Sequence, residues 1–431
     1  MNIPLLVFIS CFILTFILRI PILLGMLMSS IYYFVLAPGP AASVQKVAAQ
    51  LLTKLNVSFI LIAIPLFIFT AKVMNTGKVT EMVFKFANIL VGKWRGGMGH
   101  VNVIASLIFS GMTGSATADA SGLGIIEIET MRKQNYDDGF SCAITAASAT
   151  IGPIFPPSIP MVIYAMFSGA SIGKLFLGGM IPGILIAITL MIYVSYIAKK
   201  RNYPTGESYY FRELIKITIK AFPALLTPVI ILSGIYTGIV TVTEAAALAG
   251  FYAMVISFFI YRTIGIKQLL DVIIDTVKTT GTISLLVGAA FVFSYILAIE
   301  HIPDILYESL TSITQNKYLM LFIINIVFII LGMIVDTSCI SVIFVPMVLP
   351  LVNALGIDLV HFGVVIVLNM MIGLSTPPYG MLLFIVSGIS GTPLKAIIKE
   401  IFPMFMLLIG VLFLITFVPE IVMFLPNTMW K

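Results

Sequence analysis

Long apolar runs separated by short polar segments dominate the pattern of hydrophobic positions along this chain. An α-helix needs about 20 apolar residues to cross the hydrocarbon core of a bilayer, whereas a barrel strand needs about ten residues of alternating character. That alternation is missing from these runs, so the pattern predicts membrane-spanning helices. The clearest runs are Ile3–Leu18, Ile20–Leu36, Leu175–Ile197, Phe222–Ile239, 319–355 and Ile401–Val418.

Composition indicates a protein that is solvated by lipid. Of the 431 residues, 60% are hydrophobic and only 10% are charged, whereas a soluble domain carries about 25% charged residues. The net charge of +6 is interpreted as a topology signal, and no nucleic-acid partner is expected. The three cysteines and three histidines are isolated from one another along the sequence, so no metal centre and no cofactor are predicted.

The second half of the chain repeats the first at a spacing of 221 positions. Apolar matches carry little weight in such a chain, but matched Pro-Pro, Asp and Lys positions do. Internal repeats in a membrane protein are typical of secondary transporters. The matched positions are Gly111-Met112 with Gly332-Met333, Asp137 with Asp358, Pro156-Pro157 with Pro377-Pro378, Lys174 with Lys395, and Pro182 with Pro403.

The basic residues predict that the two repeats are inverted relative to each other. We place the linker 199–221 in the cytoplasm and give each half five spans and one re-entrant hairpin, which puts the N-terminus in the periplasm. Most Lys and Arg residues then lie inside, as the positive-inside rule requires. The sequence thus predicts an all-α polytopic membrane protein with two inverted structural repeats. The basic residues that fall outside are Lys46, Lys54, Lys174, Lys317 and Lys431.

Four segments break the rules of helix formation at membrane depth, and they align in pairs within the repeat. Unwound backbone is tolerated in a membrane only where it lines a cavity or is buried in protein. Its free carbonyl groups suit a small cation such as sodium, and helix N-termini suit a carboxylate. We therefore expect two cation sites flanking one anion site near the midplane. The segments are Ser110–Gly124, Gly152–Pro160, Gly332–Ser341 and Gly373–Gly380.

Some of these features have a second interpretation. Asp119 and Asp336 are functional candidates because ionisable groups in the membrane are costly, but each Asp could instead cap a hairpin helix. The Gly, Ser and Thr residues could merely allow close helix packing. Glu127 is expected near the cytoplasmic surface, where it would balance Arg132 and Lys133.

At these motifs the sequence resembles the large permease subunit of tripartite ATP-independent periplasmic (TRAP) transporters. The resemblance extends over essentially the whole chain, and it implies an elevator-type ion transporter fold. The motifs are AIPLFIFTAKVMNTG (Ala63–Gly77), SGMTGSATADASGLG (Ser110–Gly124), GPIFPPSIPMVIYAMFSG (Gly152–Gly169), DTSCISVIFVPMVLP (Asp336–Pro350), GIDLVHFGVV (Gly356–Val365) and GLSTPPYGMLLF (Gly373–Phe384).

The resemblance also implies a function, which is sodium-coupled secondary active import across the bacterial inner membrane, without enzymatic activity. The partners would be a small membrane subunit, expected as a separate chain, and a periplasmic substrate-binding protein. That binding protein would deliver a small carboxylate such as a sialic acid, a sugar acid or a dicarboxylate. Sodium would be the coupling ion.

The repeat and the resemblance together divide the chain into a scaffold and a mobile transport domain. Two amphipathic segments are predicted as arm helices along the membrane interface, although ordinary connecting helices would show the same pattern. The predicted divisions are scaffold spans 1–75, an arm helix 76–99, a transport-domain half 100–198, the cytoplasmic linker 199–221, scaffold spans 222–298, a second arm helix 299–318 and a second transport-domain half 319–425.

Transferring the family's sites by motif gives two sodium sites and one substrate site. The sodium ligands would be mainly backbone carbonyls, so side-chain identity says little there. The predicted sodium-site residues are Ser110, Thr113, Gly152, Phe155 and Pro157 in the first half, and Gly332, Gly373, Thr376 and Pro378 in the second. The predicted substrate-site residues are Ser115, Thr117, Asp119, Ser158, Asp336, Thr337, Ser338 and Ser375.

Other functions are compatible with parts of the pattern. A self-sufficient sodium–dicarboxylate symporter of the same broad fold would need no binding protein. An intramembrane aspartyl protease could use Asp119 and Asp336, but its Tyr-Asp and Gly-x-Gly-Asp contexts are missing. A pure membrane scaffold would show no effect of sodium on stability. ATP-driven transport is disfavoured, because the sequence has no Gly-x-x-x-x-Gly-Lys-Ser/Thr loop.

Overall fold

A computed structural model describes residues 3–18, 20–37, 43–57, 60–75, 77–206 and 211–429 of the chain. Throughout these ranges the regular structure is helical, apart from one β-bridge between Arg95 and Thr205. The helices of the first half are α1 Ile3–Ile17, α2 Ile22–Leu36, α3 Gln45–Val57, α4 Ile60–Met74, α5 Gly77–Val91, α6 Gly97–Thr113, α7 Ala116–Lys133, α8 Asp138–Ser148, α9 Ile159–Ser168 and α10 Ile172–Lys200. Those of the second half are α11 Phe211–Tyr236, α12 Val242–Val255, α13 Ile266–Ile299, α14 Ile302–Ile313, α15 Lys317–Ile334, α16 Thr337–Ala354, α17 Leu359–Leu374, α18 Met381–Ser390, α19 Leu394–Phe417 and α20 Pro419–Met429.

The helix bounds reproduce the repeat that the sequence shows. Adding 221 to the bounds of α7 gives 337–354, which are the bounds of α16. The same shift takes α6 to 318–334, within one residue of α15. α3 and α4 together correspond to the long helix α13, and the two residues between α3 and α4 lie outside the described ranges. The predicted fold class is confirmed, whereas the division into scaffold and transport domain stays a prediction.

The outer surface of the protein is suited to lipid. Within the described ranges, seven helices are long and apolar enough to cross a membrane, and α4 with α5 forms a bent pair that would make an eighth span. Ile192 on α10 is 66% exposed and Phe251 on α12 is 63% exposed. An apolar surface of this kind would associate in water, whereas in a bilayer it meets acyl chains. The seven helices are α10, α11, α12 with its π-turn, α13, α15, α16 and α19.

The centre of the protein holds α17, which is enclosed on all sides. Every residue from Val360 to Leu374 is buried. The helix packs against α15, α19 and α10, so it brings the second half of the chain against the first. A helix that is apolar all round must be surrounded by protein or lipid. Since α17 is buried, its surroundings are the outer helices, which separate it from the bilayer. The break that follows Leu374 begins inside the protein, at the buried Ser375 and Thr376, and reaches the surface at Pro378 and Tyr379.

A cluster of charged residues joins the two halves at the start of the linker. Arg201 Nη1 lies 2.9 Å from Asp137 Oδ2, and Arg201 Nη2 lies 2.8 Å from Glu400 Oε2. The Tyr203 hydroxyl donates to Asp137 Oδ2 at 2.6 Å, and burial together with this carboxylate raises the pKa of Tyr203. Asp137 precedes α8 and Glu400 lies on α19, so this linker cluster (Asp137, Arg201, Tyr203 and Glu400) connects both repeats.

Candidate functional site

The first hairpin turns at Gly114, between α6 and α7. Gly114 has a φ of +60°, which favours glycine, and its amide donates to the Ser110 carbonyl at 3.2 Å. A Cβ atom added there would lie only 2.4 Å from the Pro157 carbonyl oxygen, so the hairpin tip touches the first break. Ser115 then caps α7 by accepting a hydrogen bond from the Ala118 amide at 3.4 Å. The tip and the break thus form one surface lined by backbone.

The second hairpin turns at Asp336, which is the repeat equivalent of Ser115. The Asp336 carboxylate accepts a hydrogen bond from the Ser338 amide at 2.9 Å and caps α16. The capping interpretation of Asp336 is therefore correct, and its side chain is also exposed at the tip. This hairpin touches the second break, because a Cβ atom added to Gly373 would lie 2.6 Å from backbone atoms of Gly332.

The two breaks share a Pro-Pro pair but begin the following helix differently, with a side-chain cap only in the first. Each contains a cis bond, Pro156-Pro157 in the first and Pro377-Pro378 in the second. In the first break Ser158 caps α9 and accepts a hydrogen bond from the Met161 amide at 3.2 Å. In the second break the Gly380 amide donates to the Thr376 carbonyl at 2.9 Å. Each helix therefore ends at a buried residue and resumes after a short irregular segment, as the Gly and Pro residues predict, and only the second segment reaches the surface, at Pro378 and Tyr379.

A cavity of about 540 Å³ lies between the two hairpin tips. It is bounded on one side by the first turn of α7 and on the other by the first turn of α16. Helix N-termini and hydroxyl groups from both repeats therefore face one space, which is a favourable arrangement for an anion. The predicted substrate-site residues that line it are Ser115, Thr117, Asp336, Thr337 and Ser338, and Thr113 of the predicted sodium site lines it too.

The remaining predicted substrate-site residues are not among those that line this cavity. Ser158 is buried at the start of α9, and Asp119 is buried on α7. Ser375 is buried as well, and its hydroxyl donates to the Ile372 carbonyl at 3.0 Å. A role for these three residues in substrate binding stays a prediction.

The predicted sodium-site residues form two groups, one at each break. The Ser110 hydroxyl donates to the Leu107 carbonyl at 2.5 Å, and the Thr376 hydroxyl donates to the Ile372 carbonyl at 2.6 Å. A hydroxyl that donates to its own helix still has lone pairs with which it can bind a cation. Sodium binding itself stays a prediction. The first group is Ser110, Thr113, Gly152, Phe155 and Pro157, and the second is Gly332, Gly373, Thr376 and Pro378.

Glu127 does not pair with Arg132 or Lys133, so that part of the prediction is wrong, whereas its depth in the membrane stays a prediction. Its side chain is buried on α7, and neither its carboxylate oxygens nor those of Asp119 have a hydrogen-bond partner in the described part of the chain. Arg132 instead pairs with Asp138 at 2.7 Å. The reason is that α7 packs between α6, α8 and α18, which together enclose the face that carries Glu127.

The sequence interpretation missed cavity residues that come from outside the hairpins. Lys72 and Asn75, near the end of α4, and Thr279 on α13 complete the cavity wall. A signal for Lys72 was present in the sequence, because a lysine inside the apolar segment Ala63–Gly77 is costly in a membrane and marks a functional candidate. Nothing in the pattern pairs that segment with the hairpins, which are distant in sequence.

A solved structure has the same fold as this chain. The crystal structure of the Alcanivorax borkumensis YdaH transporter matches with a TM-score of 0.63 at 14% identity, over 97% of this chain and 98% of that one. At this identity the match shows the fold alone. The fold and the apolar helices together define a polytopic membrane protein of this fold.

Sequence comparisons identify the family. The family model described as tripartite ATP-independent periplasmic transporter, DctM component, matches residues 8–421. The sialic acid TRAP transporter large permease protein SiaM of Vibrio cholerae is 43% identical over 370 residues, which cover 86% of this chain and 87% of SiaM. This chain belongs to that family, as a TRAP transporter large permease.

Relatives in the family are named for different substrates. The C4-dicarboxylate TRAP transporter large permease protein DctM of Pseudomonas aeruginosa is 36% identical over 369 residues, which cover 86% of each chain. The 2,3-diketo-L-gulonate TRAP transporter large permease protein YiaN of Escherichia coli is 33% identical over 377 residues, which cover 88% of this chain and 89% of YiaN. The family therefore includes permeases for several small anions.

Proposed function

We propose that this chain is the permease through which a small carboxylate is imported by sodium-coupled secondary active transport. The observation that carries the proposal is the cavity of about 540 Å³ between the two hairpin tips. The first turns of α7 and α16 both face it, and the amides of a first helical turn lack partners within their own helix. A carboxylate in this cavity would be stabilised by the N-terminus of α7, whereas the N-terminus of α16 already binds the Asp336 carboxylate.

Sodium is the coupling ion in this proposal. Support comes from the close contact of each hairpin with a break, Gly114 with Pro157 and Gly332 with Gly373. Unwound backbone carbonyls and nearby hydroxyls are the oxygen donors that sodium uses in transporters with broken helices. A cation held between a tip and a break would order both segments and would favour the loaded carrier.

The movement that we propose is an elevator movement, in which the hairpins and breaks travel together against the outer helices. Family membership supports two partners, a small membrane subunit and a periplasmic substrate-binding protein. Sialic acid, C4-dicarboxylates and 2,3-diketo-L-gulonate, which are named for the relatives, are all carboxylates. Sialic acid is the first substrate to test, because SiaM has a higher sequence identity to this chain than DctM and YiaN have.

Uptake into proteoliposomes tests this function. The permease, the small subunit and the binding protein encoded beside them are reconstituted, and uptake of radiolabelled sialic acid, succinate and 2,3-diketo-L-gulonate is followed. We expect one of these anions to accumulate above its equilibrium level when sodium is outside, and not when potassium replaces it. Equal accumulation in potassium would refute sodium coupling, and no uptake of any of the three would refute the substrate class.

The same assay separates the proposal from its nearest alternative. A self-sufficient sodium–dicarboxylate symporter would accumulate succinate without the binding protein. The TRAP mechanism requires the binding protein for uptake at low substrate concentration. Sodium-driven uptake that is equally fast with and without the binding protein would favour the symporter.

A further inference from the structure

Lys72 differs from the hairpin residues of the cavity wall in its positive charge and in its position on α4. Among the described residues that line the cavity, it is the sole basic residue, and Asp336 is the sole acidic one. Lys72 Nζ donates to Thr279 Oγ1 at 3.0 Å and lies 3.6 Å from Asp275 Oδ2. The Asp275 side chain is 67% exposed and its carboxylate lies 3.6 Å from Lys72 Nζ, so this chain does not enclose the ion pair tightly. Lys72 can therefore exchange Asp275 for another anion.

A second cavity of about 520 Å³, which we name the vestibule, adjoins the first one. Lys72 and Asn75 line both cavities, so they lie at the junction. The topology predicted from the basic residues puts the end of α4 and the start of α13 on the cytoplasmic side. A solute that leaves the hairpin tips toward the cytoplasm would then pass Lys72. The other vestibule residues are Asp271, Val272, Ile274, Asp275 and Lys278.

The repeat shows that a positive charge is not a general requirement of the fold at this position. The repeat equivalent of Lys72 is Phe293, which is buried. Its ring packs against Phe8 and Phe12 at centroid distances of 4.6 and 4.8 Å. Inverted repeats put equivalent positions at opposite ends of the transport path. The position that carries a cavity-lining lysine in the first repeat therefore carries a packed aromatic ring in the second.

We propose that Lys72 is a substrate-binding residue on the scaffold, which pairs with the substrate carboxylate on the cytoplasmic side of the hairpin site. This inference rests on the proposed function, because it takes the substrate to be a carboxylate. The hairpin tips supply helix N-termini and hydroxyls, and Lys72 supplies the full positive charge that they lack. Since Lys72 lies on α4, the contact forms only while the hairpins face the vestibule.

Direct binding to the solubilised complex of the permease and the small subunit tests this role. Binding of sialic acid and of its uncharged methyl ester is measured in saturating sodium chloride for the wild type, Lys72→Gln and Lys72→Arg. We expect Lys72→Gln to weaken binding of the acid about tenfold or more, and Lys72→Arg to stay within about threefold of the wild type. Binding of the ester should be unchanged by Lys72→Gln.

Binding of the ester distinguishes a direct contact between Lys72 and the carboxylate from a purely structural role. If Lys72 only supports the fold, Lys72→Gln weakens the acid and the ester by the same factor, and the inference is overturned. Lys46→Gln is the matched control, because Lys46 donates to the Tyr295 hydroxyl at 3.3 Å and lines neither cavity. It should leave binding of the acid within about twofold of the wild type.

Two further results separate this inference from the proposed function. If the wild-type complex binds sialic acid, succinate and 2,3-diketo-L-gulonate no better in sodium than in potassium, the proposed function fails. If the wild type binds one of them in sodium and Lys72→Gln binds it equally well, only the role of Lys72 fails. Asp275→Asn frees Lys72 from its partner and should leave binding of the acid unchanged or tighter. A tenfold loss of binding in Asp275→Asn would contradict the proposal that Lys72 exchanges Asp275 for the substrate.

Discussion

Single residues at the hairpin tips combine a structural role with a chemical one. Ser115 and Asp336 occupy equivalent positions in the two repeats, and each caps the second helix of its hairpin. The sequence predicted both as substrate-site residues and offered capping as the alternative for Asp336. The two roles are compatible, because a cap begins the helix whose N-terminus faces the cavity.

Gly114→Ala is expected to reduce uptake at least tenfold. Alanine at a φ of +60° costs about 1–2 kcal/mol, and its Cβ would also lie 2.4 Å from the Pro157 carbonyl oxygen. Gly169→Ala is the matched control, because Gly169 has a φ of +72° but no atom within 4 Å of the added Cβ. Uptake and melting temperature are measured for both. Equal losses would show that the contact between tip and break does not matter.

Lys72 and Glu127 are residues whose surroundings the sequence pattern did not predict. A periodic pattern indicates that a residue lies on a helix, but not which neighbour covers it. Glu127 is enclosed by α6, α8 and α18, and Lys72 reaches a cavity built by distant hairpins. Both environments arise only when segments far apart in sequence pack together. The breaks after Gly152 and Gly373 were predictable because each combines a glycine with a Pro-Pro pair, whereas single prolines such as Pro182 and Pro403 lie inside continuous helices.

Among the larger elements, the unit of a hairpin followed by a broken helix is the part that the sequence encodes most directly. Its turn, caps and Pro-Pro bond are all local signals, and both copies appear where the sequence predicts them. The matching part of α13, residues 266–278, carries charged residues as α3 does, among them Lys267, Asp271 and Asp275, so both copies have a polar segment at this position.

Thr376→Ala is expected to raise the sodium concentration for half-maximal uptake by about twofold to tenfold, the effect of losing one hydroxyl ligand. Thr70→Ala is the matched control, since the Thr70 hydroxyl donates to the Leu66 carbonyl at 2.8 Å in the same four-residue pattern on α4. Sodium titrations of uptake are compared at equal expression. If Thr376→Ala and Thr70→Ala shift the sodium curve equally, Thr376 is not a sodium ligand.

In the whole molecule, the inverted orientation of the two repeats explains why polar breaks can meet in the interior. The repeat predicted this arrangement, and the fold class is confirmed. The sequence could not show that the linker cluster joins the halves, because Asp137, Arg201 and Glu400 are separated by 64 and 199 positions. The orientation of the termini in the membrane remains a prediction.

Accessibility labelling tests the inverted orientation. Single-cysteine variants at Lys133, Lys399 and Lys317 are made after replacement of the three native cysteines, and whole cells are treated with a membrane-impermeant maleimide. We expect label at 317 only, because 133 and 399 belong to the predicted cytoplasmic face. Lys399 lines the same surface cavity as Gln134, so it is the internal control for that face. Label at both 133 and 317 would contradict the inversion.

The linker cluster has a consequence for cooperativity between the two proposed cation sites. Arg201 is tied to Asp137 at the start of α8 and to Glu400 on α19, and α8 also packs along α19. Helices that carry the first break are thereby fixed to a helix of the other repeat. A sodium ion that orders one break would restrict the motion of the helices that the linker cluster joins, which belong to both repeats. The second ion would then bind to a partly ordered site. Communication between the two sodium ions would then need no contact between them.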